Sequence, residues 1–287
     1  MKTKFAICAI VAITAIGLVI FAGCSGDPSE TSVPTAPVRV VLVDAPANAV
    51  EELHLRFDKV ELVRASAPVH VVLDRNDLPA DVDVIATADT PMTLGTADVP
   101  VGTYTWSNLS IDPNSPANRV VTTGGQVHAL QYVPLPAPTA HLARRYVLQA
   151  GQEVTLLFNF AAAASVSDDS GAWIVRPQVF SRFVEGPLEF GSLSGVVSEV
   201  DGDALRSNAG PKLGVFLRDD RRALVDIAEI DRETGEFRMP SLLTGQYQVT
   251  VQAASAQWEP AGEPLLEMGG VSVTTDNETV LNLDIDL

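Results

Sequence analysis

The chain has 287 residues, with 19 Lys and Arg against 36 Asp and Glu, giving a formal net charge of −17 at pH 7. That length is enough for two domains at the usual ~100–200 residues each, and the acidity argues against a nucleic-acid backbone or an anionic headgroup surface as partner. The negative charge is spread evenly, as solubility requires. Cys8 and Cys24 both lie near the start, so the remainder has no thiol for a disulfide and must be held by its cores.

Lys2 and Lys4 precede a charge-free apolar run from Phe5 to Gly23, after which the composition turns polar at Ser25-Gly26-Asp27-Pro28. A positive start, an apolar middle and small residues before a cleavage point form a secretory signal. Phe21-Ala22-Gly23-Cys24 resembles the bacterial lipobox, with Phe21 where that motif usually has leucine. The resemblance implies a signal peptide over residues 1–23, with Cys24 acylated as the mature N-terminus and the lipid bilayer as its partner. Several acyl chains hold firmly where a single chain binds only marginally. The apolar run is also close to the ~20 residues that span a bilayer, so an uncleaved anchor, or a cleaved signal without lipid, stays open. Ser25 rather than aspartate follows the cysteine. By resemblance to lipoprotein sorting in bacteria with two membranes, this favours the outer membrane.

Residues 24–37 read as the lipid site and a semi-extended Pro/Ser/Thr tether. From Val38 the pattern is short β-rich runs bounded by turn residues. Leu53, Leu55 and Phe57 alternate with His54, Arg56 and Asp58, then the phase slips to Val60 and Leu62. One strand over Glu52–Glu61 with a bulge near Asp58-Lys59 accounts for this. Further strands are expected over 69–73, 82–86, 103–111, 126–133, 145–148, 153–160 and 172–180, and no window offers a long amphipathic helix. Ala161–Ala164 suffices for one helical turn. This spacing favours a sandwich or barrel.

An ordered set of segments is similar to the domain of unknown function 4382, found in bacterial lipoproteins. These are Val41–Pro46, Glu52–Glu61, Val99–Tyr104, Leu148–Gly151 and Trp173–Pro177. The resemblance covers about residues 38–183 and implies an all-β fold and an envelope location, with no activity to transfer. Gly186-Pro187 marks a boundary, giving an N-terminal domain over 38–184. Residues 190–287 resemble the transthyretin-like modules called carboxypeptidase regulatory-like domains, where a glycine opens a turn and a following tyrosine packs at the sheet corner. Gly245 and Tyr247 hold those places. Val99–Thr105 carries a similar Pro-x-Gly-x-Tyr hinge, in which glycine supplies a positive φ. The fold class is therefore all-β, with two β-sandwich domains (Ig-like and transthyretin-like) after a lipoprotein signal peptide.

Chemistry is sparse. His54, His70, His128 and His141 lack the spacing of a zinc site, although His54 and His70 could face each other across adjacent strands. Gly191-Ser192-Leu193-Ser194-Gly195 has leucine at the centre and so fails as a nucleophile elbow. Acidic turns at Asp168-Asp169, Asp201-Gly202-Asp203, Asp219-Asp220 and Asp276-Asn277-Glu278 could hold structural calcium, but none reproduces a twelve-residue calcium loop, and Asp and Asn favour turns anyway. No other cofactor is expected. Some regulatory-like modules carry a lysine–asparagine crosslink, for which Lys212 is poorly placed. The segment from Val133 to Tyr146 has three prolines, and His141, Arg144, Arg145 and Tyr146 make it a candidate binding loop for an envelope protein or carbohydrate. The alternative is an ordinary connection whose arginines pair with nearby carboxylates. The whole reads as a membrane-anchored, non-catalytic binding or structural module of the cell envelope. The competing expectation is an envelope hydrolase with a glycosidase-like carboxylate pair.

Overall fold

The computed structural model describes residues 33–65, 69–133, 140–142 (as backbone), 145–199, 212–255 and 258–286. They are nearly all β. The first half contains β1 (Thr35–Ala45), β2 (Val50–Leu55), β3 (Phe57–Arg64), β4 (Val69–Leu73), β5 (Val82–Asp83), β6 (Met92–Pro100), β7 (Gly102–Ile111) and β8 (Arg119–Thr122). It continues with β9 (Val127–Ala129), β10 (Gln131–Tyr132), β11 (Ala140–Leu142), β12 (Tyr146–Leu148), β13 (Val154–Ala161), the helical turn α1 (Ala162–Ser165), β14 (Val166–Asp169), β15 (Ala172–Val175) and β16 (Val179–Glu185). The second half adds β17 (Phe190–Glu199), β18 (Lys212–Arg218), β19 (Leu224–Glu229), β20 (Glu236–Leu243), β21 (Gly245–Ala254), β22 (Pro260–Val273) and β23 (Glu278–Ile285).

A nine-stranded sheet runs β4-β3-β7-β11-β16-β13-β1-β6, with β12 also paired to β7. It is mixed, because β1 lies parallel to β13 and β11 parallel to β16. Its two edges approach each other: a Cβ on Gly95 of β6 would sit 2.9 Å from the Leu73 side chain of β4. The sheet thus curls nearly back on itself. The four-stranded sheet β5-β2-β8-β9 covers the same core, where Leu53, Leu55 and Val120 join Leu42, Phe57, Tyr104, Phe158 and Phe160.

The apolar series from Leu53 to Leu62 is two strands rather than the single one its alternation suggests. At Arg56 the chain leaves the four-stranded sheet and enters the nine-stranded one. There the Arg56 N–H donates to Asn118 Oδ1 at 2.8 Å, and its carbonyl accepts from the Asp112 N–H at 2.8 Å. Both backbone groups are satisfied outside either ladder, which is what a change of sheet demands. The register then shifts between Phe57 and Lys59, so the expected bulge is present and falls on Asp58. The expected strand 172–180 is likewise two, β15 and β16, in different sheets. The helical turn over 162–165 forms where the alanine run predicts it, and its first N–H, on Ala162, donates to Asp44 Oδ1 at 3.0 Å.

After Glu185, Gly186 takes φ +79° and the chain passes into a seven-stranded sandwich. Its sheets are β20-β17-β23 and β19-β18-β21-β22. They enclose Leu193, Val215, Leu217, Phe237, Val249 and Val251. The two halves meet over an apolar junction, and β13 explains why. All eight of its residues are buried, which requires cover on both faces. Leu156, Phe158 and Phe160 point into the first core. On the other face Leu157 packs with Val41, Val43 and Leu243, and Ala161 packs with Phe216, Ile227 and Trp258 of the second half. Each such large side chain contributes about 1.5–3 kcal/mol on burial.

Candidate functional site

Cys24, the expected lipid site, lies outside the described residues, as do 134–139 and 143–144, and with them Arg144. His141 is described only as backbone, in β11 opposite Phe180. Arg145 is exposed. Tyr146 does not join a displayed surface. It is 7% exposed, its ring is stacked on Phe183 at 4.3 Å, its hydroxyl donates to Glu185 Oε1 at 2.9 Å and it accepts from Gln152 Nε2 at 3.1 Å. As the first residue of β12 it stands opposite the buried Tyr104, and that register draws it inward.

The histidines are separated by the fold. His54 is in the four-stranded sheet and His70 in the nine-stranded one, so they do not face each other across adjacent strands, as they could have. The ring nitrogens of His54 lie 3.0 Å from Asp81 Oδ1 and 2.8 Å from Glu52 Oε2, on opposite sides of the imidazole. Burial and the nearby Arg64 lower the pKa of His70. His128 lies tilted against Trp173 at 5.9 Å. Among the described residues no group of three or more His, Cys, Asp or Glu side chains is placed to hold a metal ion. Two of the acidic turns use a carboxylate oxygen on their own backbone. Asp168 Oδ1 accepts from the Gly171 N–H, and Asp219 Oδ1 from the N–H groups of Arg221 and Ala223; residues 201–203 lie outside the described residues. Gly195 sits where a Cβ would meet the Leu281 carbonyl oxygen at 2.0 Å, a close approach of β23 that accounts for the glycine without catalysis. Lys212 places its ammonium 5.2 Å from the Trp258 ring centre.

The polar constellation that the fold does assemble lies at the junction. A groove of about 370 Å³ is lined by Arg182 of β16, the turn Asp219–Arg221 and the corner Thr244–Tyr247. Arg182 Nη2 donates to the Tyr247 hydroxyl at 3.5 Å, so one cation of the groove is tied to the corner of the second sandwich. Also at the junction are Asn159 of β13 and Asp226 of β19. Asn159 Nδ2 donates to the Val225 carbonyl at 3.0 Å, while its Oδ1 is buried without a partner. Asp226 is 2% exposed and accepts from the Ile227 N–H at 2.8 Å. Burial pushes its carboxyl up to about 7, against the smaller opposing effects of the Ile227 N–H, the Asn159 amide and Arg182. A cavity of about 10 Å³ lies alongside, lined in part by Asn159, Ser181, Arg182 and Val225. Sequence reading passed over both residues. The available signal was a polar side chain inside an apolar strand, Asn159 in Val154–Ala161 and Asp226 in Leu224–Glu229.

Residues 35–177 match the family described as a domain of unknown function, DUF4382. This overlaps the span for which the segments above suggest it and ends before the second sandwich. A search of curated proteins finds no significant match. Among solved structures, the chain is similar to the TIE protein of Bacillus anthracis at 10% identity and a TM-score of 0.23, over 88% of this chain and 34% of that one. It is similar to BcpA, the major pilin subunit of Bacillus cereus, at 8% identity and a TM-score of 0.24, over 88% and 70%. A streptococcal ancillary pilin aligns at 14% identity and a TM-score of 0.20, over 89% and 63%. The chain therefore spans about a third of the length of the B. anthracis protein.

Proposed function

We propose that this protein is a non-catalytic lipoprotein of the cell envelope, held to a membrane through acylated Cys24, that presents two joined β-sandwiches to a protein or carbohydrate partner. The outer membrane is the favoured site where the organism has two. The observation that carries this reading is the apolar junction. Leu157, Ala161, Val41 and Val43 pack against Leu243, Phe216, Ile227 and Trp258, so the polypeptide beyond the tether forms one continuous body suited to display. We read the second half as a regulatory-like module, a type that usually serves as a spacer or docking unit. Arg144 and Arg145 remain the contacts we assign to the partner, with His141 beside them.

The hydrolase alternative has one specific observation in its favour, since a carboxyl near 7 falls in the range of a general acid. Asp226 is nevertheless sealed in the junction and does not line the groove there, and this supports the non-catalytic reading. Replacing Cys24 with alanine tests the anchor: the protein should leave the membrane fraction or persist as an unprocessed precursor, and unchanged fractionation and size would refute lipidation. Arg144→Ala combined with Arg145→Ala should weaken recovery of an envelope partner with the melting temperature unchanged. Equal recovery would discard the loop.

A further inference from the structure

The junction is mainly apolar, and among its polar groups the buried pair Asn159 and Asp226 is costly. A buried carbonyl oxygen without a donor forfeits a hydrogen bond, and Asn159 Oδ1 is such an atom. A buried carboxylate prefers to be neutral, and Asp226 is fully enclosed. The two problems have one solution, because a protonated carboxyl is itself a donor. The Asn159 amide nitrogen already serves the Val225 carbonyl and the Asp226 carboxyl. We propose that Asp226 is a proton-operated latch between the two sandwiches: protonated, it donates to Asn159 Oδ1 and closes the junction; ionised, it favours opening toward water.

The charges around the latch do not override it. Arg182 on β16 is the cation that acts on Asp226, and its effect is smaller than that of burial. α1 and β13 carry no titratable side chain. Arg39 and Asp44 on β1, Lys212 and Arg218 on β18, and Glu236 and Arg238 on β20 exert no resolved influence on it. Glu185, the other ionisable group of β16, is bonded to Tyr146. The sign follows from the raised carboxyl. The latch contributes fully below the ordinary aspartate value of 3.8, and its contribution is lost as the pH rises toward about 7. If opening returns Asp226 to its ordinary value, the open population grows roughly 50-fold between pH 5 and pH 7.

Amide hydrogen exchange on the full-length protein reads this directly, comparing the native chain with Asp226→Asn at matched pH so that intrinsic exchange cancels. At Val225, Ile227 and Asn159 the native chain should exchange faster than the variant at pH 7, and the ratio of the two rates should be roughly 50-fold smaller at pH 5. Amides of the first core, such as Leu55 and Tyr104, should not differ. Equal exchange in the two proteins at both pH values would overturn the latch, and an acceleration spread evenly over the first core would overturn the claim that the junction opens as a unit. An independent readout needs only the native chain. The infrared band of a protonated carboxyl should persist to about pH 6, and its disappearance by about pH 5 would dismiss the proposal.

Discussion

β7 begins Gly102-Thr103-Tyr104 and β21 begins Gly245-Gln246-Tyr247, and each tyrosine is buried with its hydroxyl donating to the carbonyl four residues upstream, Pro100 in one and Leu243 in the other. An arginine reaches each. Arg64 lies over the Tyr104 ring at 5.9 Å and donates to the Val101 carbonyl at 2.6 Å, whereas Arg182 crosses from the other half to the Tyr247 hydroxyl. The glycines differ. Gly102 takes φ +153°, and a Cβ there would meet the Arg64 guanidinium at 2.4 Å; Gly245 has no positive φ, and its Cβ would make ordinary contact at 3.7 Å with Tyr247. The expectation of a glycine with positive φ at each corner therefore holds for Gly102 alone. What the two corners share is the tyrosine and the carbonyl it holds.

Substitutions can separate these roles. Tyr104→Ala and Tyr247→Ala should each cost about 3–5 kcal/mol in denaturant unfolding, because each empties a buried aromatic site. A cost below about 1 kcal/mol at either would remove that corner from the comparison. Gly102→Ala should cost about 2 kcal/mol from backbone strain and displacement of Arg64. Tyr104→Phe and Tyr247→Phe should cost about 1 kcal/mol each, the net value of the lost hydrogen bond. Of the two, Tyr247→Phe should also loosen the junction, read as faster exchange at Val225. Gly245→Ala should fall within about 0.5 kcal/mol. Equal effects at Gly102 and Gly245 would erase the distinction drawn between them.

Much of the architecture was legible where one face of a strand is buried and the other wet. The alternation across β3, β7 and β23 and the slip at Asp58 are visible in the residues themselves. The change of sheet at Arg56 was not, because Leu53, Leu55 and Phe57 keep one phase while the ladder partners change. β6 and β22 escaped notice for another reason. Met92–Pro100 and Pro260–Val273 contain Gly and Pro, which read as turns, yet among the described residues both strands are edges with one side free of a ladder, where such residues are tolerated. For the site, the loop of Val133–Tyr146 drew attention by composition. Tyr146 shows why composition misleads, since its position opposite Tyr104 decides its direction. Asn159 and Asp226 gain meaning only once two distant segments are packed together.

The junction also governs how this polypeptide can be cut. The family match stops at residue 177, two residues short of β16, which sits between β11 and β13 inside the largest sheet. A fragment trimmed to the match would lose an interior strand. One extended through Glu185 would restore that strand but leave Val41, Val43, Leu157 and Ala161 facing solvent, an oily strip that invites self-association during expression. Both sandwiches should therefore be produced together when soluble material is wanted.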